Sequence, residues 1–264
     1  MVNIVLSFDD GRHDNYEAYK NILNPLNIPA TFNITAGYVL NDIEKNDMPG
    51  PHKPMSIEEV AEMNESSICE IAGHGYTHDN TIKSLIKGVE WQRENLGYDF
   101  VGIASPHSEY DLKKLEEDIK VFRDNNVVYL RVSNDYSKLK FIKKAIRKIN
   151  RKIHSGYLYY FINKDSICYN KNFILYSIPV LKNNKLHEVE KFIDIVSRTK
   201  KEATVIFMFH SILKEGSMYY EDLFSWDYKD FYDLCVFLNE MRKDKKINII
   251  KTIDIFKENN KKIQ

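Results

Sequence analysis

The chain has no surplus of charge of either sign: 38 Lys and Arg balance 38 Asp and Glu over 264 residues. A neutral protein has no overall field to hold a nucleic acid or an anionic surface, so neither is expected as a partner. Cysteine is scarce. Cys69, Cys168 and Cys235 are too few and too scattered for a disulfide framework or a CxxC metal site, and each reads as a small buried hydrophobe. No apolar stretch approaches the length of a membrane span. The N-terminus enters a strand at once, with no charged or apolar leader and no cleavage site. The expectation is a soluble cytoplasmic protein. No internal repeat and no Gly/Ser linker divides the chain, which is long enough for one large core. Basic runs at residues 143–152 and 243–246 interleave with apolar positions and read as solvated helix faces.

What stands out instead is acid where acid is costly. Ile4-Val5-Leu6-Ser7-Phe8 reads as a buried strand, and Asp9-Asp10-Gly11 follows it directly. Adjacent carboxylates repel, and burial raises the cost of ionising either one. A bound cation removes the conflict. A second apolar strand, 68–72, leads into Gly73-His74-Gly75-Tyr76-Thr77-His78, which sets two imidazoles at i and i+4. Together these runs suggest one carboxylate and two histidines on a divalent metal, with the other acid left for chemistry. Taken alone, Asp9-Asp10-Gly11 also fits an Asx-type turn, and the two histidines also fit ordinary loop positions.

Apolar runs alternate with segments of helical period along the chain. Strands are expected at 4–8, 30–34, 68–72, 100–104, 127–132, 173–180, 204–209 and 247–250. Helices are expected between them, including one opened by the capping box Ser56/Glu59 and a basic one near 138–153. Residues 40–55 read as a long loop and 154–172 as aromatic and irregular. The alternation predicts one βα-barrel-like domain over 1–264. In such barrels chemistry gathers at the C-terminal strand ends, where Asp9-Asp10, His74/His78, Pro106-His107 and His210 all stand.

These residues together resemble the polysaccharide deacetylases, carbohydrate esterase family four. The family's Thr-Phe-Asp-Asp-Gly stands here as Ser7-Phe8-Asp9-Asp10-Gly11. Its His-(Ser/Thr)-x-x-His stands as His74-Gly75-Tyr76-Thr77-His78, with Gly75 in place of the hydroxyl residue. Ile28-Pro29-Ala30-Thr31-Phe32 matches the second strand, and Val205-Ile206-Phe207-Met208-Phe209-His210 matches the strand before the last histidine. The family's Arg-x-Pro-Tyr-Gly is replaced by Ala104-Ser105-Pro106-His107-Ser108, so the arginine that commonly tethers the catalytic base is missing. The Asp-Trp motif is not recognisable; Tyr176-Ser177-Ile178-Pro179 stands near its place, leaving the last histidine without an assigned partner. Residues 138–175 read as a divergent insertion that shapes substrate choice.

The resemblance implies a distorted (β/α)7-type barrel and a metal-dependent hydrolase that removes an N-acetyl group from an amino sugar or glycan precursor. It implies Asp10, His74 and His78 as ligands of one divalent ion, Zn2+ first, with Co2+, Ni2+ or Mn2+ as alternatives. Asp9 is then the general base and His210 the acid that protonates the leaving amine. Pro106 and His107 line the oxyanion or substrate side, through the backbone N–H near His107. Without an export signal, a nucleotide-sugar, a lipid-linked saccharide or a glycan precursor is the expected substrate. Hydrolysis of another C–N amide, such as a formamide or cyclic imide, remains open, as does a non-catalytic carbohydrate-binding role. His210 also fits a strand-end cap. For His13 the expected role is at a helix start, and for Trp226, Tyr219 and Tyr220 it is packing or surface rather than sugar stacking.

Overall fold

Alternation along each strand organises this molecule: one set of side chains meets the helices and the other fills a barrel. The computed structural model describes residues 1–43, 53–133, 140–199 and 201–256. The first apolar run forms β1 (Val2–Phe8). β2 (Ala30–Ile34), β3 (Cys69–Gly73), β4 (Val101–Ala104), β5 (Val127–Val132), β6 (Ile174–Pro179) and β7 (Ala203–Phe209) follow in spatial order. β7 pairs back onto β1 from Val2 against Ala203 to Phe8 against Phe209. All seven are parallel and close into the expected distorted (β/α)7 barrel in a single domain. After β7 come a short parallel pair, β8 (Ser211–Leu213) with β9 (Ser225–Asp227), and then β10 (Ile247–Ile249). The distortion lies beside β1. Only Ser7 and Phe8 pair with β2, and β10 takes the edge left at Val2, Asn3 and Ile4.

The helices are α1 (His13–Ala18), which runs into a wider turn over Tyr19–Leu23, then α2 (Ala36–Val39), α3 (Ile57–Glu65), α4 (Ile82–Leu96) and α5 (Leu112–Asp124). α6 (Lys140–Ile153), α7 (Gly156–Asn163), α8 (Leu186–Ser197) and α9 (Tyr228–Lys243) complete the set. Ser56 and Glu59 form both halves of the expected capping box on α3, at 3.2 and 2.9 Å. In the loop expected over 40–55, residues 44–52 lie outside the described residues; so do 138–139 and the last eight residues of the chain. Between 154 and 172 the structure differs from expectation, because α7 forms there. Tyr159 and Ile162, three apart, are buried, and Tyr159 and Tyr160 pack on Phe192 of α8. That short buried face holds one tyrosine and one isoleucine among other aromatics.

Outward residues of β1 (Ile4, Leu6, Phe8) join the main core with Phe32, Phe207 and Phe209, and Phe8 stacks on Phe32 at 5.0 Å between ring centroids. The barrel interior is layered. Glu70 lies at the end away from the chemistry and accepts from Thr31 Oγ1 (2.8 Å), Tyr129 OH (2.8 Å) and the N–H of Ile253 (2.9 Å). Burial pushes its carboxyl up. Val5, Ala72, Tyr129, Leu175 and Ile206 form an apolar layer. Ser7, Asn33, Arg131 and Ser177 form a polar one. The ring of Tyr129 occupies the space that a Cβ on Gly102 would need, 1.9 Å away. Gly102→Ala is therefore expected to destabilise by about 3 kcal/mol through overpacking, read as a lower urea midpoint with the m-value unchanged.

Candidate active site

The polar layer rises into Asp9 and Asp10, both buried at the C-terminal end of β1. Each meets an arginine. Arg131 on β5 reaches across the barrel and its NH2 group donates to both oxygens of Asp9, at 2.6 and 2.7 Å. Asn33 of β2 donates to Asp9 Oδ1 at 2.8 Å, while Ser177 of β6 accepts from Arg131 NH1 at 2.7 Å. On the other acid, Arg12 donates from Nε (2.9 Å) and NH2 (2.6 Å) to Asp10 Oδ2, and from NH1 to Ser211 Oγ (2.9 Å). Two buried guanidiniums thus offset the repulsion for which the sequence suggested a bound cation. The arginine that meets Asp9 comes not from the Ser105-Pro106-His107 stretch but from the next strand, as Arg131.

With Oδ2 engaged, Asp10 Oδ1 faces His74 Nε2 at 3.3 Å and His78 Nε2 at 3.2 Å. His74 Nδ1 lies 2.9 Å from the carbonyl of Ala104, which can only accept. That bond holds a proton on Nδ1; burial works against the His74 imidazolium, but its bond to Asp10 and the field of Asp9 outweigh burial and push it up. Burial works against ionisation of Asp10, but Arg12 and the two imidazoles outweigh it and hold the carboxyl well below the usual carboxylate range. A divalent ion would take the place of the protons that His74 and His78 share with Asp10 Oδ1. The three ligand atoms lie within 4.8 Å of one another. Ligand atoms of a tetrahedral site with bonds of about 2.0–2.1 Å stand about 3.3 Å apart, so the Asp10/His74/His78 set fits a divalent ion.

Backbone conformation brings these groups together. Asp10, His78 and His107 all have left-handed φ, at 76, 56 and 56°. Such residues cost energy and collect at functional loops. Gly75, at φ 74°, explains its own departure from the hydroxyl residue: the backbone there favours glycine, and a Cβ would come within 3.0 Å of Ser84 Oγ. Ser84, from α4, fills that space and accepts the N–H groups of Tyr76 (3.1 Å) and Thr77 (3.0 Å).

The other expected residues fall on the same rim. His210 follows β7, and its carbonyl accepts Asn15 Nδ2 at 2.5 Å. Its ring packs 4.9 Å from Phe224, and Nδ1 finds no partner among the described residues. Burial pushes the His210 imidazolium down, and the fields of Asp10 and Asp9 only partly restore it. Pro106 is buried and its carbonyl accepts Asn80 Nδ2 at 2.8 Å; His107 is exposed, with its ring 4.7 Å from that of His78. His13 opens α1 and faces Glu59 at 2.8 Å, away from the acid pair's contacts. Trp226 packs on Phe209 and donates to the carbonyl of Asn184, and Tyr220 hydrogen-bonds Asp227. A cavity of about 660 Å3 begins at Ser133 and Ser177, behind Arg131, and is walled by Lys143, Asn150 and Tyr159 of the divergent segment.

A family model described as polysaccharide deacetylase matches residues 2–134. The chain belongs to that family. No curated protein matches it. Among solved structures, it is similar to the Bc1960 peptidoglycan N-acetylglucosamine deacetylase (14% identity, 97% of this chain and 88% of that one, TM-score 0.52). It is also similar to a mutant of BA3943, a CE4 family pseudoenzyme with restored activity (11% identity, 96% and 66%, TM-score 0.51). The match to IcaB from Ammonifex degensii (20% identity, TM-score 0.40) covers 48% of this chain and spans 58% of that chain, under two thirds of its length. These likenesses describe the fold. The family is one of carbohydrate deacetylases and esterases that are generally metal-dependent.

Sequence reasoning missed Arg12, Asn33 and Arg131. The one signal for Arg131 was a cation inside the apolar strand Val127–Val132, two residues from Tyr129 and so on the same face. Arg131→Met is expected to cost about 3–5 kcal/mol by leaving Asp9 buried without a countercharge. Adding Asp9→Asn to that variant should recover much of the loss in urea denaturation. Asp14 offers a second test: its carboxylate accepts the N–H of Ile212 at 2.8 Å, and burial pushes it up to about 6. The folded chain then holds more protons than the unfolded one between about pH 4 and 6, so this group's contribution to stability falls as pH rises through that window. Asp14→Asn should flatten that part of the urea-midpoint profile.

Proposed function

We propose that this chain is a metal-dependent hydrolase that removes the N-acetyl group from an amino sugar or glycan precursor. The observation that carries the reading is the convergence of Asp10 Oδ1 with two histidine Nε2 atoms at 3.3 and 3.2 Å, beside a second acid oriented by Arg131. Asp10, His74 and His78 hold the ion, and Zn2+ suits that donor set best. When bound, the ion supplies Lewis acidity toward a carbonyl oxygen and toward water.

The chain's own groups do the rest. Asp9, held in one orientation by Arg131 and Asn33, accepts the proton of the water that attacks the acyl carbon. The backbone N–H near His107 faces the carbonyl oxygen as negative charge grows there, a role Pro106 cannot fill. His210 enters as the imidazolium and gives its proton to the leaving nitrogen while Asp9 keeps the one taken from water, so that acetate and a free amine depart. Arg131 cannot take up the water's proton, because a guanidinium stays charged throughout.

A second reading, a carbohydrate-binding member without turnover, draws on the unpartnered His210 Nδ1 and on the similarity to a family pseudoenzyme. Metal analysis with acetate release from acetamido sugars separates the two readings, since stoichiometric metal without release favours binding. Asp9→Asn is expected to retain the ion and to lower kcat by about 10²–10⁴-fold, whereas His78→Ala loses the ion. The reverse pattern in metal content would exchange the roles of the two acids.

A further inference from the structure

Helix α6 is built with its polar side inward. Lys143 and Asn150 are its buried residues, at 2 and 5% exposure, and Lys143 pairs with Asp165 at 2.8 Å. At about 100° per residue, Ile142, Ile146, Ile149 and Ile153 share an arc of about 60°, roughly a quarter turn from that inner side. Ile142, Ile149 and Ile153 are 53, 53 and 59% exposed, and Phe141 is 86% exposed. The sequence expectation of a solvated basic face is met on the side away from Lys143 and Asn150, where Lys144, Lys148 and Lys152 are exposed, and the isoleucine stripe lies between that face and the buried one. Scattered apolar residues on a surface need no cause, but a continuous stripe on one helix does.

We propose that α6 docks on an anionic lipid surface, lying in the headgroup region with its isoleucines toward the acyl chains and its lysines on the phosphates. Charge selects this occupant. The 14 residues of α6 include seven Lys or Arg and no acid, so a second copy packed stripe to stripe would set like charges against each other. A basic helix with a strong apolar face is the form that binds anionic bilayers without crossing them. No described helix is long and apolar enough to cross a membrane. The neutral overall charge is compatible with this, because attraction to a charged surface is local and decays within a Debye length. Lys143 and Asn150 also line the cavity behind Arg131, so a docked chain holds that cavity at headgroup level.

Flotation of the full chain with vesicles tests the proposal: phosphatidylcholine alone against phosphatidylcholine mixed with phosphatidylglycerol. The chain should float with the anionic vesicles only, and less as salt is raised. Lys148→Gln with Lys152→Gln should weaken partitioning about 25-fold, at about fivefold per cation. Ile149→Ser with Ile153→Ser should weaken it at least about tenfold, with melting temperature unchanged. Should the isoleucine variant fold poorly, the lysine variant decides. The proposal is overturned if wild type does not float with anionic vesicles, or if the folded variants float as it does. It is equally overturned if wild type is a dimer that the isoleucine variant dissociates, since the stripe then belongs to a second copy.

Discussion

Two neighbouring carboxylates, each gripped by its own buried guanidinium, govern the arrangement at the top of this barrel. Asp9 and Asp10 are adjacent in the chain and so fall on different sides of the strand end. Arg131 comes to the first from across the barrel, while Arg12 comes to the second from the start of the following helix. Buried pairs of this kind contribute less to net stability than their geometry suggests, because both partners lose water. Their value lies in orientation. Arg12 occupies Oδ2 of Asp10 and thereby presents Oδ1 to the two imidazoles.

The contact between Asp9 and Arg131 exists only because β7 closes on β1 and β5 lies across the interior. The inward residues of β1, β2, β5 and β6 then stack as Ser7, Asn33, Arg131 and Ser177, a hydrogen-bonded layer under the acids. Below it an apolar layer separates this chemistry from Glu70, whose three hydrogen bonds tie β3 to β2, to β5 and to the turn after β10. The left-handed residues at 10, 75, 78 and 107 gather at the strand ends above. Left-handed residues such as Asn27, Asn126 and Lys245 occur elsewhere too, but at Asp10, His78 and His107 they lie in loops that aim side chains at one point.

The family match ends at residue 134, while the barrel continues beyond it through β6, α8 and β7. Up to that point lie both acids, both imidazoles and both arginines. Beyond it lie His210, the cavity wall and a helix whose apolar side faces out. The same segment that encloses the space beside Arg131 carries the outward stripe, so access to the cavity and contact with an outside surface are properties of one element.

The local motifs were legible because their parts are contiguous: acids at a strand end and histidines four apart are brought near by β1 and β3 on either side of β2, and the strand and helix alternation named the barrel. Arg131 was not legible, since its distance from Asp9 in sequence is 122 residues and only barrel closure makes them neighbours. The replacement of a motif hydroxyl by Gly75 became intelligible once Ser84 was seen to fill the space from another helix. α7 was hidden because its short buried face holds one tyrosine and one isoleucine, Tyr159 and Ile162, among other aromatics, and the exposure of α6 was hidden because a pattern of apolar residues shows which side is apolar, not which way that side points. Covalent order and periodicity thus determined the strands, the barrel and the metal-spaced histidines. Which cation neutralises each acid, and which faces meet water, were decided by packing between residues far apart in the chain.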